Sequence, residues 1–306
     1  MNGYKTLIQL ANKRSNMDYE NLMLGYQFGS QVTFSEPQRT PLGTTGNLLG
    51  RTIGSSLEFM EHRDYAVGDD LRRIDWNSYA RNDRLAVKLF REEVNPHIDL
   101  LLDVSKSMSL NKTKKSAATF ALAGFFASAA AESKFSFRIF VTDNGCRTLE
   151  RSHLSPFEWD KFELESLTSP ADAIQQMPPN WRPHGIRIVV SDLLFPADPI
   201  NFVSQVVGDS AVTIFVQLLA ESDAEPPQHG NLRLVDSETA EQLELYIDSI
   251  SRERYKRNLA RHLENYNLAT RKFGALMTTI IAENFLQNGR IDNLMQMEII
   301  KHSKNA

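Results

Sequence analysis

One stretch limits what this chain can become more than any other: His97 to Met108, His-Ile-Asp-Leu-Leu-Leu-Asp-Val-Ser-Lys-Ser-Met. Ile98 to Leu102 is a short, mostly apolar run, the pattern of a strand buried on both faces. Asp103, Ser105 and Ser107 follow at alternate positions, where the chain must leave the sheet. An alanine-rich apolar run over residues 117–131 comes next and reads as a buried helix. Strand, polar loop and helix in that order make half of a βαβ unit. Ligands of such sheets bind just beyond the carboxyl ends of the strands, so this loop stands where a site is expected. One carboxylate and two hydroxyls are hard oxygen donors, suited to Mg²⁺ or Mn²⁺ rather than zinc. The same residue types also cap helices and close turns, and the residues alone leave both readings open.

Downstream the alternation is regular. A helix over 112–133 leads to a strand over 135–142, a turn at Asp143-Asn144-Gly145 and a further strand over 146–151. One or two helical turns fall between Pro156 and Gln176. A β-branched run over 186–190 ends in Ser191-Asp192, and a helix over 199–207 leads to a strand over 211–218. Residues 232–235 and 243–247 read as a small hairpin, and 252–273 as an amphipathic helix closed by Gly274. A last strand is expected over 276–281 and a last helix from Ala282 to about Lys301. Strands alternating with helices in this way predict an α/β fold with a doubly wound, mostly parallel sheet covered on both faces. A smaller polar N-terminal region precedes it, which divides the chain into 1–95 and 96–306.

In that N-terminal region Met17, Leu22, Met23 and Tyr26 space roughly as one helical face over 16–26, and 35–46 reads as a loop. Residues 51–91 mix acids and bases closely. They read as a solvated surface with local ion pairs, each worth about 0–1 kcal/mol. The sharper alternative is an ordered network that packs on the following domain, with Tyr65, Ile74, Trp76 and Phe90 as apolar anchors.

Several function classes are disfavoured by composition. A formal charge of −4 gives no global case for nucleic acid, and Arg72, Arg73, Arg81, Arg84 and Arg91 are interleaved with acids. The single cysteine, Cys146, excludes an intramolecular disulfide and any multi-cysteine metal site, and fits a reducing compartment. No secretory signal is visible, and the run over 117–131 is shorter than the roughly 20 residues a membrane span needs. A cytoplasmic protein is expected. Neither a G-x-S-x-G elbow nor a glycine-rich phosphate loop is present. The seven histidines lack zinc-ligand spacing, so no catalytic residue is assigned.

The run Asp103-Val-Ser105-Lys-Ser107-Met108 resembles the metal-ion-dependent adhesion motif of von Willebrand factor A domains. Glu58-Phe59, Arg63-Asp64-Tyr65, Gly68-Asp69-Asp70, Arg72, Ile74-Asp75-Trp76, Ala80-Arg81 and Leu85-x-Val87-Lys88 resemble the domain of unknown function 58 family. That family couples such a polar block to an A-type domain, and the resemblance extends over about 51–281. It implies a Rossmann-type strand order with a metal site at the top of the sheet. Asp103, Ser105 and Ser107 would supply the first loop of that site and Asp192 the later carboxylate. The family's glycine-threonine loop is not matched near 167–174, where Thr168 and Asp172 are the candidates.

The implied ion is Mg²⁺ or Mn²⁺, with an open position for a carboxylate from another protein. Lys106, Met108 and Lys112 would meet that partner, and Lys114 and Lys115 would add positive charge. Members of the family accompany AAA+ ATPases of the MoxR type. The resemblance therefore implies a non-enzymatic adaptor or co-chaperone. The alternative from another class is a Mg²⁺-dependent hydrolase or phosphotransferase using Asp103 and Asp192.

Overall fold

A computed structural model of the chain describes residues 18–35, 57–92, 96–110, 113–153, 155–225, 230–235 and 242–303. Two compact units emerge, one of residues 1–39 with 96–306, the other of Thr40–Asn95. The elements in chain order begin with α1 (18–29), β1 (Val32–Phe34), β2 (Leu57–Asp64), α2 (Trp76–Asn82), β3 (Ala86–Glu92) and β4 (His97–Leu102). Next come α3 (Lys115–Glu132), β5 (Ser136–Thr142), β6 (Cys146–Thr148), α4 (Pro170–Gln176), β7 (Ile186–Ser191), α5 (Pro199–Val207) and β8 (Val212–Leu219). The chain continues with α6 (Glu221–Ala224), β9 (Gly230–Val235), β10 (Gln242–Ile247), α7 (Ser249–Lys272), β11 (Leu276–Ile281), α8 (Ala282–Asn288), α9 (Asp292–Gln296) and β12 (Ile300–His302).

The larger unit is built on one sheet with the order β11-β8-β7-β4-β5-β6. All neighbours run parallel except the edge strand β6, which is antiparallel to β5. The chain builds outward from β4 to β5 and β6, then returns to the other side of β4 with β7, β8 and β11. This is the doubly wound, mostly parallel sheet that the sequence predicts, in the Rossmann-type order that the resemblance implies, and the order reverses between β4 and β7.

Both faces of the sheet are covered, which explains why β4 is apolar in a run rather than alternating with polar residues. Side chains of successive strand residues point to opposite faces. Ile98, Leu100 and Leu102 pack in the core with Ala118, Leu122 and Phe126 of α3, while Leu101 packs in the second core with Phe202 of α5 and Tyr266 of α7. A helix buried from both sides is apolar around most of its circumference, and α3 buries Ala118 through Ala130 without a break.

The same unit includes α1 and β1, which the sequence grouped with the polar block. Close backbone approach explains their place. A Cβ on Gly25 would lie 1.7 Å from the Ala121 carbonyl oxygen, and one on Gly124 would lie 2.0 Å from that of Leu22. Leu22, Val32 and Phe34 join the core around α3. β1 pairs antiparallel with β12, Val32 opposite His302. The expected helix over 282–301 is corrected by this pairing. α8 stops at Gly289, whose φ of 64° is the left-handed conformation glycine adopts at little cost, and Ile300 turns into the core as part of β12.

The smaller unit is an antiparallel pair, β2 with β3, that puts Asp64 opposite Ala86 and shifts register between Phe59 and Glu61. Its ion pairs are local. Arg63 meets Asp69 at 2.7 Å and His62 meets Asp75 at 2.7 Å. Asp75 also caps α2, accepting from the Asn77 and Ser78 amides. Of the expected apolar anchors, Ile74 is buried and Tyr65 half-buried. Trp76 is corrected: it is 61% exposed, with its ring edge-on to Tyr79 on the same helix. The side chain of Phe90 lies outside the described residues.

Candidate functional site

Parallel strands bring their carboxyl ends to one rim, and ligands of open α/β sheets bind where the strand order reverses. Here that point lies between β4 and β7. Asp103 leaves β4 and Asp192 leaves β7 at this rim, joined by the bond from the Asp103 amide to the Val190 carbonyl at 2.9 Å. Both side chains are buried. The two carboxylates that the resemblance pairs are near enough for the charge of Asp192 to act on Asp103.

Each oxygen of the pair has a partner. Asp103 Oδ1 accepts from the Ser105 amide at 2.9 Å, and Asp103 Oδ2 accepts from the Ser191 hydroxyl at 2.6 Å. Asp192 Oδ1 accepts from the Leu194 amide at 3.0 Å, and Asp192 Oδ2 from the Lys115 ammonium at 2.9 Å. The ammonium also meets Asp223 Oδ2 at 3.3 Å. The Ser105 and Ser107 hydroxyls bond each other at 3.0 Å. Leu193, between Asp192 and Leu194, holds a left-handed φ of 57°. Its amide bonds the Ser191 hydroxyl and its carbonyl meets the His262 ring at 2.6 Å. That turn keeps Asp192 directed into the rim. From β8, the Gln217 side-chain amide donates to the Asp192 carbonyl at 3.0 Å.

Burial pushes the Asp103 carboxyl up, the charge of Asp192 pushes it further, and the hydrogen bonds from Ser105 and Ser191 pull it part of the way back, to about 6. For Lys115, burial alone would lower the value. The charges of Asp192 and Asp223 outweigh it and hold the ammonium above the ordinary lysine range. Cys146 is pushed up to about 12 by burial, so it supplies no thiolate at neutral pH.

The loop expected to carry a threonine does run beside the first loop. The Lys106 amide donates to the Ser166 carbonyl at 2.9 Å, and the Ser166 amide to the Val104 carbonyl at 3.0 Å. Thr168 is half-buried and its amide bonds the Ser166 hydroxyl at 3.1 Å. Asp172 is held in the cap of α4 by the Ser169 hydroxyl at 2.7 Å. Among the expected partner contacts, Lys106 is half-buried and Lys112 lies outside the described residues. Met108 is corrected: it is 0% exposed, drawn into the core around α3, and cannot meet a partner. Lys115 is corrected as well. Its charge points inward to Asp192 and Asp223, so it adds no attraction at the surface.

The donors as placed do not fit a divalent ion. Mg²⁺ demands about six oxygens in near-octahedral order. Asp192 is shared with an amide and an ammonium, which leaves Asp103 and two neutral hydroxyls beside a buried cation that repels the ion. Among the described residues no group of three or more His, Cys, Asp or Glu is placed to hold a metal. Sequence reasoning missed Asp223 and the inward role of Lys115. A lysine opening an alanine-rich buried run was the one available signal.

The sheet has Rossmann order with an antiparallel edge strand, and an Asp-x-Ser-x-Ser turn stands where the order reverses. The chain belongs to the family described as protein of unknown function DUF58, whose model matches residues 61–265. Among solved structures it is similar to the conserved hypothetical protein BatB of Bacteroides thetaiotaomicron, at 10% identity over 66% of this chain and 99% of that one, with a TM-score of 0.31. An aerotolerance-related membrane protein of Bacteroides fragilis matches at 8% identity over 65% and 99%, TM-score 0.28. A von Willebrand factor type A protein of Catenulispora acidiphila matches at 11% over 70% of this chain and 44% of that one, TM-score 0.33. No curated protein matches the sequence. Among the described residues no helix is long and apolar enough to cross a membrane.

Proposed function

We propose that the protein is a non-enzymatic docking module whose contact face is the carboxyl rim of the sheet. One observation carries this reading. Three loops that end at the rim each expose a leucine: Leu110 at 37%, Leu167 at 57% and Leu194 at 39%. Apolar side chains left exposed on neighbouring loops are what a protein-binding patch presents. The partner that family resemblance supports is an AAA+ ATPase of the MoxR type, met in the cytoplasm, with the chain as adaptor or co-chaperone. A hydrolase or phosphotransferase would need a carboxylate free to attack its substrate. The oxygens of Asp103 and Asp192 are held by Ser105, Ser191, Leu194 and Lys115, and no observation favours that reading.

The test is direct binding of a purified MoxR-type ATPase from the same cell, followed by calorimetry. Leu167→Asp and Leu194→Asp should each weaken binding about 10-fold or more while leaving the melting temperature near that of the wild type. Absence of binding removes the partner. Binding that ignores both substitutions moves the contact face elsewhere.

A further inference from the structure

We propose that Lys115 is the permanent cation of this rim: its ammonium, sealed between Asp192 and Asp223, takes the electrostatic role that an A-type site gives to a divalent ion, and the rim is complete without metal. The inference does not depend on which partner docks.

The placement of Lys115 is unfavourable on every count except its two partners. Its side chain is 2% exposed, and burying an unpaired ammonium is costly enough that such groups normally neutralise. It is also the first residue of α3, where the helix dipole presents positive charge and no acidic side chain occupies the first turn. A lysine at the start of a buried helix is tolerated only if carboxylates converge on it. Two do so, from two different strand ends: Asp192 after β7 at 2.9 Å and Asp223 in α6 after β8 at 3.3 Å. Asp223 is itself fixed, since its Oδ2 accepts from the Ala220 amide at 3.0 Å.

The result is a cross-link of helix α3 to the ends of β7 and β8 through one charge. In the A-type site that the resemblance implies, the metal would hold the loop after β7 through Asp192, the carboxylate that Lys115 holds here. Here the chain supplies the gathering charge from its own sequence, at the cost of the open coordination position a metal would offer. Docking at the rim therefore proceeds without a carboxylate-to-metal bond.

The experiment is a titration of the full chain with Mn²⁺, read by electron paramagnetic resonance, together with melting in EDTA, millimolar Mg²⁺ and millimolar Mn²⁺. The wild type should show no saturable Mn²⁺ binding and an unshifted melting temperature. Lys115→Met, which keeps the volume and removes the charge, should melt lower and regain about 3 °C or more on adding Mn²⁺. If Lys115→Met fails to fold, Lys115→Met combined with Asp192→Asn should restore folding by removing an orphaned charge. Saturable Mn²⁺ binding by the wild type that Asp103→Asn abolishes overturns the proposal. So does a Lys115→Met chain as stable as the wild type and indifferent to metal, or a double variant no better folded than the single one.

Discussion

At the residue scale, buried charge divides into groups the fold neutralises and groups it leaves under tension. Asp99 is of the first kind. Burial would raise its carboxyl, but the Arg138 guanidinium and the Arg182 amide and guanidinium outweigh this and hold it below the usual carboxylate range. Asp99→Ala would leave both arginines without their acid. It should cost about 2 kcal/mol, below the range for fully buried pairs because both arginines keep partial exposure; the denaturant midpoint measures it. Asp103 is of the second kind. Its folded value near 6 lies above the ordinary 3.8, so the stability linked to it is full below about pH 4 and is lost as pH rises through 6. Asn carries no proton to lose. Asp103→Asn should therefore be more stable than the wild type at pH 8, by up to about 3 kcal/mol, with the gap closing toward pH 5. Urea unfolding at both pH values checks the sign. A gap that widens toward pH 5 would show that Asp103 is not under tension.

Among the elements, the contact of α1 with α3 is the one least visible in sequence and the one most exposed to a single methyl group. Gly25, Gly29 and Gly124 let the two backbones approach so closely that a Cβ on Gly29 would lie 2.2 Å from the Phe125 carbonyl oxygen. None of these glycines needs a positive φ, so the requirement is space alone. Gly124→Ala should cost about 1–3 kcal/mol by overpacking and should release α1 first. Limited proteolysis is expected to cut within 18–29 before any site in the sheet, with the overall melting temperature following. The strands behaved differently. β7, α5 and β11 lie within one residue of where periodicity put them, because apolar runs bounded by turn residues fix both their kind and their ends. The C-terminal segment did not, since helix and strand compete there and the decision came from β1 across the chain.

For the whole molecule, the unit boundaries set the test. Residues 96–303 alone keep every strand of the main sheet but lose Leu22, Val32 and Phe34 from the core around α3. That fragment should bind a hydrophobic dye and melt lower than one carrying 18–35 as well, and a peptide of 18–35 added in trans should reverse both changes. No change on adding the peptide would place α1 outside the core. Local pattern alone determined the α/β class, the central strand at Ile98–Leu102, and the loop bearing Asp103, Ser105 and Ser107, because periodicity and turn chemistry act over a few residues. The pairing of Asp103 with Asp192 was implied by the family resemblance and not by local pattern. What occupies the rim of the sheet was decided only in three dimensions. Lys115 and Asp223 are 108 positions apart, no period relates them, and the charge of a lysine reads the same in sequence whether it faces water or two carboxylates. Desolvation tells the two cases apart, and desolvation is a property of the packed chain.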